Sequence, residues 1–180
     1  VDIGKPSKPN CVIKQFFPSA QGTDTIEKAK QLFEREAIRL DDLGEHPQIP
    51  QLLAYLTHED QRQYLVQEYI EGQTLQQELD SKGVFNQEQI ISLLIDILPI
   101  LEFIHNQEVI HRDIKPDNII RRNSDNKVVL VDFGVAKLVT QPLLSVTGTM
   151  IGTAGFTAPE QGNGKPIKPS DLYSLGVTCI

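Results

Sequence analysis

The run IISLLIDILPILEFI, Ile90 to Ile104, constrains this chain more than any other stretch. It lies in a helical segment, Gln87 to Asn106, that is apolar nearly all round. A helix of that character is a buried core helix, so the second half of the chain must be built around it. Pro99 should kink it, because the ring removes one backbone hydrogen bond and crowds the preceding turn. Asp96 and Glu102 interrupt it, and no run of about 18 apolar residues occurs anywhere, so no membrane segment is expected. No secretory signal opens the chain.

The first half reads as a smaller, mixed unit. CVIKQFF, Cys11 to Phe17, is apolar, partly β-branched and stopped by Pro18, the pattern of a strand. From Asp24 to Leu43 the pattern is helical: Ile26, Ala29, Leu32, Phe33, Glu36, Ala37 and Leu40 recur at spacings of three and four, and Gly44 closes the segment. The acid run LDDLGEH, Leu40 to His46, reads as its solvated end. Two strand-like segments follow, around Gln51 to Thr57 and Arg62 to Tyr69. Ile70 to Leu75 reads as a hinge, with its Gly at the change from strand to helix, and a short helix spans Leu75 to Asp80. After the long helix, KVVLVDFG ends a nearly continuous apolar strand at Asp132. A Gly- and Thr-rich stretch then runs to Pro159, and loops of that length usually carry function or are disordered.

The bulk numbers exclude several classes. With 180 residues, 39% hydrophobic and 23% charged, the chain is the size of one globular domain or two small lobes. A formal charge of -7 argues against a nucleic-acid binder, which would show a basic face. Cys11 and Cys179 stand at opposite ends with no CxxC or Cys/His cluster, which leaves neither a disulfide framework nor a zinc site and suits a reducing, cytoplasmic compartment. The chain begins at Val1 without Met and stops inside LYSLGVTCI, so it is expected to be a piece of a longer protein.

HRDIKPDNII, His111 to Ile120, poses the functional question. Asp113 and Asn118 stand five apart with Lys115 between them, which fits a solvated turn or a reaction centre. Two further polar residues are placed where burial would be costly. Lys14 lies inside an apolar strand and Glu36 on the inward stripe of the following helix, so each is the natural partner of the other. Asp132 ends a strand just before Phe133 and Gly134.

In this order the residues resemble the protein-kinase signature set. CVIK is similar to the Lys-bearing strand, FEREAIRL to the helix with the paired Glu, and HRDIKPDN to the catalytic loop. DFG resembles the metal-binding turn, APE (Ala158 to Glu160) the end of the activation segment, and SDLYSLGV the start of the central helix. DIKPDN and GTAGFTAPEQ resemble the Ser/Thr branch, in wording close to bacterial eukaryotic-type kinases. The resemblance runs from about Cys11 to the last residue.

It implies an α+β, bilobal protein-kinase-like fold, with a small β-rich N-lobe over 1–70 and a mainly helical C-lobe over 71–180, both incomplete. It implies ATP and Mg²⁺ as cofactors, and proteins bearing Ser or Thr as substrates, including this protein itself through self-association. Lys14, fixed by Glu36, would hold the α/β-phosphates, while Val12, Glu68 and Ile120 would line the nucleotide pocket. Asp132 and Asn118 would hold the metal ions, hard oxygen ligands that suit Mg²⁺. Asp113 would take the substrate proton and Lys115 would neutralise the transferring group. Arg112 would receive a phosphate on the activation segment, with Ser145, Thr147 and Thr149 as candidate acceptors. Thr153 would shape the substrate-docking loop and contact the base. His111 is expected to pack and hydrogen-bond, not to move protons.

The pattern departs from the family in places. A Gly-rich loop normally precedes the Lys strand, but VDIGKPSKPN holds a single Gly. Glu160 is expected to lack the Arg partner that a later helix supplies. Phe156 stands where Tyr is common. Two rivals stay open: a non-catalytic scaffold on the same fold, which has no need of all five polar groups, and a small-molecule phosphotransferase, for which the peptide-docking GTAGFTAPEQ has no clear purpose.

Overall fold

A computed structural model describes residues 9–16, 23–58, 62–133 and 153–180, and within α1 below it leaves the side chains of 23–29, 32, 35 and 36 outside that description. Two antiparallel sheets organise the chain. The first has the order β1-β3-β2, from β1 (Cys11–Gln15), β2 (Leu52–Thr57) and β3 (Gln63–Glu68). In it Val12 lies opposite Gln67 and Lys14 opposite Leu65. Strand side chains alternate in direction, so Val12 and Lys14 share one face while Ile13, between them, is exposed. Helix α1 (Thr23–Leu43) connects β1 to β2 and buries Phe33, Ala37 and Leu40, the described part of the stripe that its apolar spacing predicts, together with Leu43.

The second sheet has the order β4-β5-β6, from β4 (Gly72–Thr74), β5 (Ile119–Arg122) and β6 (Val128–Leu130). The segment read as a hinge therefore contributes a strand. Gly72 is required there: a Cβ at this position would stand 2.1 Å from the carbonyl oxygen of Arg121 on the neighbouring strand. Helices α2 (Leu75–Lys82) and α3 (Gln87–Asn106) follow, each opened by a capping box. Thr74 accepts from the Gln77 amide at 3.1 Å and Asn86 from the Gln89 amide at 2.9 Å, and each Gln side chain returns a bond to the cap backbone. Two helices close the described chain, α4 (Pro159–Gly162) and α5 (Lys168–Thr178).

One hydrophobic cluster joins the two sheets. It runs from Phe33, Leu43, Ile49 and Leu65 to Leu93, Ile97, Ile104, Ile114, Ile119 and Leu130. Helix α3 is its centre, as expected, and passes through Pro99 as a single helix. It is not buried all round, however. Leu93, Ile97, Ile100, Leu101 and Ile104 face the core, whereas Ile91, Ile95 and Leu98 are 47%, 66% and 43% exposed. Apolar composition on every face hid the real stripe, which only packing partners reveal. Among the described residues, no helix is long and apolar enough to cross a membrane.

Candidate active site

The loop after α3 carries Asp113 into a buried position and fixes it from several sides. His111 is fully buried, and its ring packs tilted against Phe133 with centroids 4.7 Å apart. Its Nε2 donates to the Val131 carbonyl at 3.0 Å, which leaves Nδ1 to accept from the Asp113 amide at 3.3 Å. Burial holds the imidazole below its ordinary pKa, against the pull of Asp171, so it stays neutral and keeps that tautomer. His111 is therefore a packing and hydrogen-bonding residue.

The sequence did not reveal the strongest anchor of this loop, Asp171 in the first turn of α5. Its side chain is fully buried and accepts from the backbone amides of His111 and Arg112, both at 2.9 Å, while His105 Nε2 lies 2.8 Å away. Gln161 of α4 adds a bond from Nε2 to the Arg112 carbonyl at 2.6 Å. Arg112 has φ 69°, a conformation that L-residues seldom adopt, and these bonds hold it there. An acid at the start of an apolar helix was the available signal for Asp171.

Both Asp113 oxygens have partners. Thr153 Oγ1 donates to Oδ1 at 2.9 Å, and Asn118 Nδ2 donates to Oδ2 at 2.6 Å and to the Asp113 carbonyl at 2.7 Å. Asn118 closes a single 3-10 turn, Pro116–Asn118, and is itself buried. Its amide nitrogen is thus committed to Asp113. The Val131 amide donates to the Asn118 carbonyl at 2.9 Å, which sets Asn118 beside the strand end that carries Asp132. Lys115 Nζ lies 3.8 Å from Asp117.

Asp132 has φ 58° and sits 2.6 Å from Lys14 Nζ. Lys14 was expected to pair with Glu36, but the Glu36 side chain lies outside the described residues, and the ion pair described is with Asp132. This pair joins the face of β1 to the end of β6. Val12, Glu68 and Ile120 line one cleft with Val131 and Asp132, and Gln67, Tyr69, Ile70 and Asp117, none of them expected, line it too. The Glu68 carboxylate accepts from the Gln51 amide at 3.3 Å.

Arg112 is partly buried, and its Nε has no hydrogen-bond partner among the described residues. Burial, and then the neighbouring Arg39 cation, lower its pKa, with Asp171 opposing. Ser145, Thr147 and Thr149 lie outside the described residues, as does Gly134. Glu160 accepts from the Ser170 hydroxyl, which holds its carboxyl below the usual range.

With this geometry in place, comparison with known proteins decides the family, because the protein kinase domain model matches residues 6–180. The chain belongs to the protein kinase domain family. It is 46% identical over 187 residues to serine/threonine-protein kinase B of Synechocystis sp., an alignment covering 99% of this chain and 32% of that protein. It is 42% identical over 185 residues to serine/threonine-protein kinase PknA of Nostoc sp., covering 99% of this chain and 33% of that one. The kinase domain described here thus spans about a third of the length of these curated relatives. The crystal structure of the Mycobacterium tuberculosis PknI kinase domain shares its fold, with TM-score 0.71 and 22% identity over 97% of this chain and 64% of that one. The protein-kinase-like fold is therefore shown, with a sheet-rich N-terminal part and a helical C-terminal part.

The divalent metal implied by the family fits the donor set. Among the described residues, no three His, Cys, Asp or Glu side chains form a metal cage. The oxygen donors that the resemblance assigns to the metal are the Asp132 carboxylate and the Asn118 side-chain amide, on segments joined by the Val131–Asn118 backbone bond. A hard cation there would take its remaining ligands from water and phosphate, the usual pattern for Mg²⁺.

Proposed function

We propose that this domain transfers the γ-phosphate of ATP to Ser or Thr hydroxyls of proteins, itself included, with Mg²⁺ as the metal. The observation that carries this reading is the setting of Asp113. It is a buried carboxylate anchored through Asn118, and a hydroxyl, that of Thr153, already donates to its Oδ1. A substrate hydroxyl approaching the same carboxylate would give up its proton to Asp113 as its oxygen bonds to the γ-phosphorus. The bond to the β–γ bridging oxygen breaks, and ADP leaves with the electron pair. Lys115 would neutralise charge on the transferring group, and Lys14 would hold the α/β-phosphates. Val12, Glu68 and Ile120 would enclose the base, and Asp132 with Asn118 would hold the cation. A divalent ion bound there supplies charge neutralisation at the phosphates.

We take residues 1–70 and 71–180 as the two lobes, in keeping with one sheet lying before Ile70 and the other after it. Glu36 is proposed as a further partner of Lys14, on the inward stripe of α1. Arg112 is proposed to receive a phosphate from Ser145, Thr147 or Thr149, supported by its partnerless Nε and the nearby Arg39 cation. Two free cysteines, Cys11 and Cys179, fit a cytoplasmic setting.

The test is incubation of the full-length protein with γ-labelled ATP, Mg²⁺ and a generic protein substrate, followed by acid hydrolysis. Labelled phosphoserine or phosphothreonine is expected. ATP binding without any labelled residue would favour a scaffold, and labelling of small molecules alone would favour the other phosphotransferase reading.

A further inference from the structure

The turn between α1 and β2, Gly44 to Pro50, is held by the half of the molecule to which it does not belong. Its neighbours in sequence are in the first sheet unit, yet the Gln48 side chain and the Pro47 and Gln48 carbonyls bond to the second. Gln48 Nε2 donates to the Val128 carbonyl at 2.9 Å and reaches the Asp96 carbonyl of α3 at 3.4 Å. The Gln48 carbonyl accepts from the Leu130 amide at 3.0 Å. Arg122 Nη1 donates to the Pro47 carbonyl at 2.8 Å, and the His46 ring stacks on Phe103 of α3 at 4.7 Å. Within the turn, the Gln48 backbone amide donates to His46 Nδ1 at 3.2 Å, which orients the His46 ring.

These bonds fall on a particular strand. Gln48 brackets β6 by bonds to Val128 and Leu130, and Leu130 is two residues from Asp132. The upstream end of the same turn is α1, and the sheet it leads into includes β1 with Lys14. Lys14 and Asp132 meet at 2.6 Å across the two halves. The Gln48 turn is thus a second tie between the elements that bear the phosphate-binding and metal-binding groups, about one strand length from the first.

Resting on the phosphotransfer reading above, we propose that Gln48 is a positioning residue that holds β6, and with it Asp132, in register with the sheet carrying Lys14. Arg122, through Pro47, supports the same turn. Neither residue touches nucleotide or metal. The rigid coupling acts through backbone hydrogen bonds to β6, so its loss should loosen Asp132 more than the base pocket formed by Val12 and Ile120. Outer groups that orient a metal ligand typically change metal affinity by 10–100-fold, and a group one step further out belongs at the lower end.

The experiment uses the full-length protein with Gln48→Met, which keeps side-chain length and removes the donor, and separately Arg122→Met. ATP binding is measured by calorimetry with and without Mg²⁺, beside the Mg²⁺ dependence of transfer and thermal melts. The expected result is folded variants whose metal-free ATP affinity stays within about twofold of wild type. Their Mg²⁺ requirement should rise roughly tenfold for both binding and transfer. An unchanged Mg²⁺ requirement would overturn the proposal, and so would an equal loss of ATP affinity with and without metal. Failure of both variants to fold would also overturn it, since positioning requires a folded site. If wild type transfers phosphate and the variants match it, the positioning role alone fails. If wild type neither binds ATP nor transfers phosphate, the phosphotransfer reading fails and this one with it.

Discussion

Replacing Asp171 with Ala should be among the most damaging single changes outside the cleft. The fully buried carboxylate accepts the His111 and Arg112 amides at 2.9 Å each. Without it, two backbone donors at a crowded loop lose their acceptors, at about 1–3 kcal/mol apiece. Arg112, at φ 69°, also loses one of the bonds that hold its left-handed backbone. Together these amount to about 3–5 kcal/mol, a large share of the 5–15 kcal/mol typical of a folded domain. Asp171→Asn keeps one oxygen and turns the other into a donor facing a donor, so its cost should be intermediate, about 2 kcal/mol. Urea unfolding followed by far-UV circular dichroism gives both numbers from one assay, provided the m-value is unchanged. An Ala variant within about 0.5 kcal/mol of wild type would refute the claim that Asp171 anchors the loop.

Other consequences follow from the same geometry. Gly72→Ala forces a methyl onto the Arg121 carbonyl oxygen, a 2.1 Å approach, and should cost about 2 kcal/mol or more in the same urea assay, mainly by parting β4 from β5. Glu78, buried on α2, receives Arg121 Nε at both oxygens, 3.1 and 3.2 Å, and Glu78→Gln should cost about 1–3 kcal/mol with only weak salt dependence. Burial lowers the pKa of His111 and of His46 below the ordinary 6.5, so the unfolded chain takes up protons that the folded chain refuses. Their contribution to stability is therefore complete above pH 6.5 and is lost as pH falls below it, and His111→Gln should flatten that slope in melts from pH 7.5 to 5.5. An unchanged slope would contradict the buried neutral imidazole.

Much of this architecture is written locally. The α1 stripe of Phe33, Ala37 and Leu40 and the Asn86–Gln89 capping box are short-range patterns that dictate their own structure. The long helix marks the limit of such patterns. Its apolar residues cover every face, so periodicity could not say that Ile91, Ile95 and Leu98 would stay exposed. Lys14, Glu36, Asp113, Asn118 and Asp132 were recognisable as a set; Asp113 is bonded to Asn118 and to Thr153, and Lys14 is paired with Asp132. What sequence could not disclose were the anchors acting across distance. Asp171 lies about sixty residues from the amides it holds, and Gln48 about eighty from the strand it brackets. Such polar residues look like solvated surface until a partner from elsewhere in the chain arrives. Lys14 shows the same limit from the other side: burial predicted that it needs an acid, and the acid described beside it is Asp132 at 2.6 Å, which spacing alone did not single out.

The central claim is that Asp113 takes the proton of a protein hydroxyl during phosphate transfer. Single-turnover transfer from ATP by the full-length protein, wild type beside Asp113→Asn, tests it most directly when ATP affinity is measured on both. The amide keeps the size of the side chain but removes the base, so the rate should fall by about 10²–10⁴-fold while ATP affinity stays within a few-fold of wild type. Equal transfer rates in the two proteins would contradict the assignment.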